Sequence, residues 1–526
     1  MPTWAYPSLG LSVAQHQEPP MHTPILIAGA GPTGLNLALA LARRNIPFRI
    51  LSEAAGPGEH SRAMVVQART LEFYDQLGFA HEMVREGIVL ETLHIRGGDH
   101  AREITSTRFS DLGEDISPYP FALAYPQDDH ERFLLQKLTE AGGRVEWQSK
   151  LLDFTQSESA IHARISHNGQ IEETEADYIC GCDGAHSAVR QSLHLGFPGG
   201  TYDQLFYVAD VQINRPPDRD LYINLGGHIL TLMFPVRASG MQRLIGLVPS
   251  DLSARQGLTF EDIRPFVEPQ LDVKCIDINW FSTYRVHHRV AETFRVGRAF
   301  LLGDAGHIHS PAGGQGMNTG IGDAVNLAWK LAHVIQGRAA PSLLDTYDPE
   351  RIAFARALVA TTDRAFTAIV NEGVSGELTR RILVPLVFSV AVRFAPSRHA
   401  MFRLLSQARI HYPDSPLSRG KAGHVHGGDR LPWLAQGRDN FAPLRSLDWQ
   451  MHVYGDIKEP LQSICRALHL PLHHFEWSDA AHHAGFAKDA ALLIRPDGHV
   501  ALALPSQNPE DLTTYIHDFA LQFRNP

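Results

Sequence analysis

Three glycines near the start of the chain have the spacing that a dinucleotide phosphate requires. Gly29, Gly31 and Gly34 follow the apolar run 24–28, and apolar residues then recur at helical spacing. Gly29 permits a tight turn, Gly31 lets the backbone approach a pyrophosphate, and Gly34 lets the helix pack closely on the sheet. The helix N-terminus adds N–H groups and positive potential for the phosphates. With a second apolar run at 48–51, the pattern predicts a dinucleotide-binding βαβ unit.

A second turn carries an aspartate directly after the run 176–181, which is typical of a buried strand. Asp183 begins this turn, and Ser187 is placed to cap the short helix that follows. Cys180 and Cys182 stand beside the aspartate. Their spacing fits neither the C-x-x-C of zinc sites nor that of thioredoxins, so they are interpreted as small apolar residues at a buried strand end.

A third turn combines an acid with a glycine-rich helix start. Asp304 follows the run 298–302, where a carboxylate can hold sugar-alcohol hydroxyls. The glycines after it expose backbone N–H groups and lead into a helix that starts at about Met317, an N-terminus suited to an anion. His307 and His309 could be metal ligands, but no third ligand with zinc-like spacing is near, and we predict no metal.

The contact to the adenosine ribose is less well defined by the sequence. Glu53 lies near the spacing of about 20 residues after the glycine turn at which such an acid is expected. Ser52 precedes it, and either residue could stand at the strand end. Arg62 and Arg69 are candidates for contacting a cofactor phosphate or sugar chain. Their alternative interpretation is as surface cations, and the sequence favours neither.

These motifs need an α/β scaffold to position them. Predicted secondary structure and composition divide the chain into several segments. The stretch 200–285 is rich in β-forming runs between two buried strands, which predicts a separate sheet inserted in the chain. The segments are an aperiodic, disordered extension at 1–20, a dinucleotide-binding domain at 21–195 and 286–410 that ends in long helices, an inserted β-sheet domain at 196–285, a linker at 411–430 rich in Pro, Gly and Ser, and a further domain at 431–526.

Composition and charge exclude several classes of function. The chain has 526 residues, of which 44% are hydrophobic and 20% charged, as is usual for a soluble globular protein. The net charge of −10 argues against a nucleic-acid partner. No run approaches the ~18 apolar residues of a membrane span. Four cysteines are too few for a disulfide framework, so a reducing cytoplasm is expected.

Three stretches together resemble one family closely. GAGPTG, CDGAHSAVR and GDAGHIHSPAGGQGMNTGIGDAVNLAWKLA resemble the signatures of the group A FAD-dependent aromatic hydroxylases, the para-hydroxybenzoate hydroxylase and phenol hydroxylase superfamily. GDRLPW and LLIRPDGHVA resemble the thioredoxin-like domain that one branch carries at its C-terminus. The resemblance implies an α/β fold with a Rossmann-like FAD-binding domain, an inserted substrate-binding sheet at 196–285 and a C-terminal thioredoxin-like domain. That domain lacks C-x-x-C, so it is expected to be redox-inactive, with a role in stability or association.

The resemblance carries site residues over to matching positions of this chain. The family usually has an acid and then a base after its second strand, where this chain has Ser52 and Glu53. The family also commonly has GDAAH, from which Gly306 departs. The implied FAD-binding residues are Gly29, Gly31, Pro32, Thr33, Gly34, Ser52, Glu53, Arg62, Gln127, Asp183, Asp304, Pro311, Gly314, Gly316, Met317 and Asn318.

The resemblance implies an activity as well as a cofactor. NAD(P)H would reduce the FAD, O2 would form a flavin C4a-hydroperoxide, and its terminal oxygen would pass to a small aromatic, phenolic substrate. The protein would exclude water, and a homodimer is one expected assembly. Alternatives are Baeyer–Villiger oxidation or epoxidation on the same fold, or a non-catalytic FAD-binding protein. No catalytic base is assigned, although His307, His309 and Tyr222 are candidates on chemistry alone.

Overall fold

The computed structural model describes residues 21–58, 63–97, 101–226, 229–236, 240–310, 314–370 and 383–523. Within these ranges, every helix is too short or too polar to span a bilayer. The first elements, in chain order, are β1 (Met21–Ala28), α1 (Pro32–Ala42), β2 (Arg49–Leu51), β3 (Val65–Val66), α2 (Ala68–Gln76), α3 (Ala80–Glu86), β4 (Ile88–Val89), β5 (Thr92–Gly97), β6 (Arg102–Arg108), α4 (Phe109–Gly113), β7 (Leu123–Ala124), α5 (Gln127–Glu140), β8 (Val145–Glu146), β9 (Ser149–Gln156), β10 (Ile161–His167), β11 (Gln170–Gly181) and α6 (Ala188–Ser192).

The remaining elements include a long inserted run of strands and a C-terminal group of short ones. They are β12 (Gly199–Ile213), β13 (Leu221–Gly226), β14 (Ile229–Pro235), β15 (Gln242–Leu247), α7 (Phe260–Leu271), β16 (Cys275–Val290), β17 (Arg295–Val296), β18 (Ala299–Leu301), β19 (His307–Ile308), α8 (Gly316–Ile335), α9 (Tyr347–Val370), α10 (Val384–Ala391), α11 (Ala395–Leu405), β20 (Arg419–Ala422), β21 (Val425–His426), β22 (Gln450–Tyr454), α12 (Glu459–Ala467), β23 (Leu472–Phe475), α13 (Asp479–His483), β24 (Ala490–Ile494), β25 (Val500–Leu504) and α14 (Pro509–Asp518). Short 3-10 helices lie at Gly303–Ala305, Pro341–Thr346 and Ala442–Ser446.

The first sheet has at its centre the parallel strands that the βαβ pattern predicts. Its strand order is β17-β18-β11-β1-β2-β8, and β1 pairs in parallel with β11 and with β2. β9 and β10 extend it as an antiparallel meander. Ile25, Leu26 and Ile27 are all fully buried, because helices cover both faces of such a sheet. The apolar run that predicted a strand therefore reflects burial on both sides.

The second sheet has two faces with different partners. Its order is β19-β16-β12-β15-β14-β13-β5-β6. One face packs on α7 and carries Tyr207, Tyr222 and Met233. The other face carries Leu225 and Phe234 and packs against the core of the first sheet. β19 belongs to the third motif and pairs with β16, so this sheet is attached directly to the turn that carries Asp304.

The inserted sheet differs from the predicted segment 196–285 in two ways. β5 and β6 come from the segment 21–195 assigned to the first domain, yet β5 pairs in parallel with β13. β16 runs to Val290, beyond the predicted boundary. Pairing between distant strands has no local signal, and a parallel partner does not come from a neighbouring hairpin, so the sequence pattern could not assign β5 to this sheet.

The third sheet is C-terminal, with the order β21-β20-β25-β24-β22-β23. β22 and β23 are parallel, β24 is antiparallel to both β22 and β25, and β20 is parallel to β25. The predicted linker 411–430 therefore contains two strands of this sheet. Its glycines allow rather than interrupt the pairing, since Gly420 has a φ of +76° and a Cβ there would lie 2.3 Å from the Ala503 oxygen.

Candidate functional site

The turn between β1 and α1 has no room for a side chain at two of its glycines and has room for one at the third. A Cβ atom at Gly29 would lie 2.2 Å from the Cys182 oxygen, and one at Gly34 would lie 2.0 Å from the Gly29 oxygen. Gly29 also has a φ of +101°, which favours glycine. A Cβ at Gly31 would meet no atom of the described residues within 4 Å. The turn is therefore a cradle with its free space at Gly31, the N-cap of α1.

Pro32 and Thr33 open α1 and connect the turn to the third motif. Pro32 stands in the first turn of the helix, where its missing N–H costs nothing, and that turn holds no acidic side chain. The positive end of the helix is therefore left for an external anion. Thr33 Oγ1 lies 2.7 Å from the position of a Cβ at Gly303 and 2.3 Å from one at Gly320. Glycine at both positions lets the motifs pack around Thr33.

Main-chain hydrogen bonds fix the end of β2, and the acid that follows it, Glu53, lies on the surface. Ser52 N donates to the Glu146 oxygen at 2.9 Å, and the Ser52 oxygen accepts from Ser149 N at 2.8 Å. The exposed Glu53 carboxylate pairs with Lys150 Nζ at 2.9 Å. The ribose contact assigned to Ser52 and Glu53 stays a prediction.

Gln127 begins α5 and is half-buried. Its Nε2 donates to Glu131 Oε1 at 2.9 Å, and its main-chain N donates to the Ala63 oxygen at 3.1 Å. Gln127 thus adjoins the segment that leads to β3. Arg62 and Pro311, also predicted to contact the cofactor, lie outside the described residues.

Asp183 caps a helix with only one of its two carboxylate oxygens. Its Oδ2 accepts from Ala188 N at 2.7 Å and from Val189 N at 3.3 Å, and Ser187 Oγ accepts from Arg190 N, which confirms the predicted cap. Asp183 Oδ1 is buried, and no group of the described residues donates a hydrogen bond to it. Burial raises the pKa of this carboxyl, against the hydrogen bonds that lower it. A buried oxygen left without a partner fits a site that a ligand completes.

Asp304 is exposed in a turn that Thr33 joins to the starts of α1 and α8, and we call the exposed surface beside these three elements the cleft. The Asp304 side chain is open to solvent, yet burial by the surrounding protein raises the pKa of its carboxyl, an effect that His307 partly offsets. Within the described part of the chain, nothing donates a hydrogen bond to it. Gly303 places it by adopting a φ of +56° in the 3-10 turn after β18. An accessible carboxylate without a partner is suited to accept hydrogen bonds from ligand hydroxyls.

The loop at the start of α8 is held by Asn318, whose amide is saturated by protein. Its Nδ2 donates to the Val65 and Gly314 oxygens at 2.8 and 2.9 Å, and its Oδ1 accepts from Gln67 N and Thr70 Oγ1. The Asn318 side chain therefore positions the loop rather than offering hydrogen bonds to a ligand.

The rest of that loop is open to the cleft. Gly314, Gly316 and Met317 are only half-buried. α8 begins at Gly316, one residue before the predicted start. Its first turn holds no acidic side chain, so this second helix N-terminus also suits an anion.

His307 and His309 stack with parallel rings but have different partners. His307 Nε2 lies 2.7 Å from Asp323 Oδ2 in the core. His309 Nδ1 bonds the Ser310 oxygen at 2.9 Å, while its buried Nε2 has no hydrogen-bond partner among the residues that the structure describes. Burial lowers the pKa of His309 to about 4, so it is neutral at neutral pH. The described residues form no metal-binding cluster.

Sequence reasoning missed two residues that hold the third motif, Asp323 on α8 and Arg351 on α9. Arg351 Nε donates to Asp323 Oδ1 at 2.6 Å, and Asp323 Oδ2 accepts from Gly303 N at 2.9 Å. Both side chains are fully buried. The signal was present, since a charged residue inside the apolar helical run 316–335 indicates a buried ion pair. Arg69 is neither a surface cation nor a cofactor contact, because its guanidinium is buried against Glu72 and Asp497.

Tyr222 lies on the face of the second sheet that packs on α7, opposite the face that packs toward the first sheet. It packs among the residues that face α7, its hydroxyl donates to Asp218 Oδ2 at 2.7 Å, and burial raises its pKa to about 12. Tyr222→Phe should therefore lower the free energy of unfolding by about 1 kcal/mol and leave turnover unchanged. Urea unfolding and steady-state kinetics measure the two effects. A large loss of kcat in a stable variant would instead show that Tyr222 takes part in the reaction.

The glycine turn, the exposed carboxylate of Asp304 and the N-termini of α1 and α8, whose first turns hold no acidic side chain, are features that suit a dinucleotide. The FAD binding domain family model matches residues 22–362 of the chain. The chain is 35% identical to 6-methylpretetramide 4-monooxygenase of Streptomyces rimosus over 80% of this chain and 76% of that protein. It is 31% identical to pentachlorophenol 4-monooxygenase of Sphingobium chlorophenolicum, over 78% and 75%. The structure of OxyS anhydrotetracycline hydroxylase from Streptomyces rimosus superposes with a TM-score of 0.74 at 26% identity, covering 95% and 99%.

The chain therefore belongs to the FAD binding domain family, among the group A flavin hydroxylases. It is an FAD-dependent monooxygenase, and the prediction of an enzyme with FAD as its cofactor is confirmed.

Proposed function

We propose that this monooxygenase uses NAD(P)H and O2 to hydroxylate a small aromatic, phenolic substrate. The observation that carries the proposal is the cleft, where Gly31 has space beside it, Asp304 is exposed, and Gly314, Gly316 and Met317 are half-buried. The second sheet is attached to this cleft through the pairing of β16 with β19. We place the substrate between a cofactor wall, formed by Gly31, Asp304 and the start of α8, and a sheet wall, formed by the face of the second sheet that packs toward the first sheet.

The residues of the cofactor wall fit FAD by charge and by shape. We assign the open space at Gly31 to the pyrophosphate, because Gly31 is the N-cap of α1, where the first N–H groups of the helix have no partner within the helix. Asp304 would accept hydrogen bonds from the ribityl hydroxyls. The N-terminus of α8 would stabilise negative charge on the pyrimidine end of the ring. When bound, FAD would supply the transfer of electrons from NAD(P)H to O2 and of oxygen to the substrate.

The sheet wall is suited to an aromatic ring. One row of residues crosses five strands in register, each opposite the next: Ile223, Leu232, Ile245, Val208 and Ser282. The three aliphatic residues of β13, β14 and β15 in this row are only partly buried and pack toward the core of the first sheet. They would bind the ring by apolar contact and exclude water from it. The polar end of the row, at Ser282, would face a substrate hydroxyl.

We propose that residues 431–526 form a thioredoxin-like domain without redox activity. The order β25-β24-β22-β23, with β24 antiparallel to its neighbours, supports the fold. Cys465 is the single cysteine of this segment. It is buried on α12, and burial raises the pKa of its thiol to about 12, so it is not a reactive thiolate. The predicted homodimer and cytoplasmic location stay predictions.

The proposal is tested by giving the FAD-loaded protein NADH or NADPH, isotopically labelled O2 and a panel of phenols. We expect a substrate to accelerate NAD(P)H oxidation and to gain one labelled oxygen on its ring. Boiled protein and an anaerobic reaction are the controls. Oxygen inserted beside a carbonyl, or across a double bond, would instead assign Baeyer–Villiger oxidation or epoxidation. NAD(P)H oxidation that no aromatic compound accelerates would count against hydroxylase activity.

A further inference from the structure

The turn between β24 and β25 places two charged residues of the C-terminal domain in the core of the FAD-binding domain. Arg495 NH1 and NH2 donate to Glu350 Oε1 and Oε2 at 2.8 and 3.0 Å, at the start of α9. Arg495 also pairs with Asp497, and Lys330 Nζ donates to Glu350 at 2.7 Å. All four side chains are fully buried. The two domains therefore share one buried ion network.

This network is a strong constraint because its charges depend on one another. Burial alone would raise the pKa of Glu350, but the charges of Arg495 and Lys330 outweigh that effect and hold it well below its usual range. The charge of Arg495 likewise lowers the pKa of Asp497, against the effect of burial. Loss of either partner would leave a buried charge uncompensated, so the turn fixes the start of α9 firmly.

One path leads from the network to the turn that carries Asp304. Arg351 follows Glu350 on α9, and its Nε donates to Asp323 Oδ1 at 2.6 Å. Asp323 Oδ2 accepts from Gly303 N at 2.9 Å and lies 2.7 Å from His307 Nε2. Asp323 thus holds the residue before Asp304 and the third residue after it. Any shift of the start of α9 would move both.

A second path leads to the loop at the start of α8. Arg69 NH2 donates to the Asp497 main-chain oxygen at 2.9 Å, which ties α2 to the same turn of the C-terminal domain. Thr70, the next residue of α2, donates to Asn318 Oδ1 at 2.8 Å. Asn318 is the residue that holds the Gly314 oxygen. The turn therefore reaches both halves of the cleft.

We propose that Arg495 and Asp497 are positioning residues for the FAD site, through which the C-terminal domain holds the Asp304 turn and the α8 loop in binding geometry. The inference rests on the proposed assignment of those two elements to FAD. It gives the C-terminal domain a role in cofactor binding that requires no chemistry of its own.

The test measures FAD affinity separately from stability. In Asp497→Asn and Arg495→Lys, we expect the Kd of the apoprotein for FAD to rise about tenfold, and the increase in Tm on adding FAD to shrink. Fluorescence titration gives the Kd, and thermal melts with and without FAD give the increase. Asp497→Asn keeps the side-chain shape, so it provides the measurement if Arg495→Lys does not fold.

A matched control breaks the same domain interface elsewhere. Arg338 NH2 donates to both oxygens of Asp448 at 2.8 Å, just beyond the far end of α8 from the cleft. Arg338→Gln should lower the Tm of apoprotein and holoprotein alike without changing the Kd for FAD. The inference is overturned if the Arg495 and Asp497 variants behave like this control. If Asp304→Asn also leaves the Kd unchanged, the assignment of the site to FAD fails instead.

Discussion

Gly31→Val is expected to weaken FAD binding by about 10- to 100-fold while leaving the folded apoprotein intact. The reason is that a Cβ atom at Gly31 would meet no atom of the described residues within 4 Å, so we expect the apoprotein to accommodate a small side chain there. The same volume is where we place the pyrophosphate, and a cofactor forced past an added side chain loses about 1–3 kcal/mol. Gel filtration, thermal melting of the apoprotein and titration with FAD provide the measurement.

The contrasting variant is Gly34→Ala, which should lose both FAD and stability. Its Cβ would stand 2.0 Å from the Gly29 oxygen, so α1 must move away from the turn. A low apoprotein Tm for Gly34→Ala beside a normal one for Gly31→Val separates a structural glycine from a binding glycine. Wild-type FAD affinity in Gly31→Val would show that the pyrophosphate lies elsewhere.

Asp304→Asn is expected to weaken FAD binding by about 1.5–3 kcal/mol, roughly 10- to 100-fold, because charge-assisted hydrogen bonds to the ribityl hydroxyls are lost. The apoprotein should not lose stability, since the carboxylate has no partner among the described residues and burial disfavours its charge. Asp345→Asn is the control for loss of an acid, because that exposed carboxylate pairs with Arg295 outside the cleft. Unchanged FAD affinity in Asp304→Asn would contradict the assignment.

The raised pKa of Asp304 leads to a prediction about the effect of pH on stability and on FAD affinity. Its pKa is raised in the folded protein, so its contribution to stability is fully present below the unfolded pKa and is lost as the pH rises through the folded pKa. The Tm difference between Asp304→Asn and the wild-type apoprotein should therefore grow in favour of the variant as the pH rises through that window. FAD affinity of the wild type should rise over the same window, since the ionised carboxylate is the better acceptor. A difference in Tm that does not vary with pH would contradict this.

The local parts of the fold could be predicted from the sequence. The βαβ unit, the cap by Ser187 and the start of α8 near Met317 follow from strand runs, glycine spacing and capping chemistry, all of which act within a few residues. The parts that could not be predicted depend on distant pairing. The Arg495–Glu350 pair joins residues 145 apart, and nothing near either residue indicates the other.

The roles of two candidate site residues could not be predicted from the sequence either. Asn318 matches the family loop, but only the structure places its amide among four protein partners. Tyr222 has a suitable hydroxyl, but strand register directs it toward α7. Sequence spacing identifies which residue types are available, whereas the face of a sheet and the saturation of a hydrogen-bonding group depend on the folded surroundings.

The place of β5 in the second sheet has a consequence for the chain as it leaves the ribosome. Thr92 bonds Asp220, its partner 128 residues later, and β5 pairs with β13. Until β13 has been synthesised, β5 has no parallel neighbour on that side, and Leu93 and Ile95, both buried in the final fold, stay uncovered. Such strands are prone to associate between nascent chains. Synthesis of this enzyme should therefore depend on chaperones that shield residues 92–108, and slowing translation beyond that segment should lower the soluble yield.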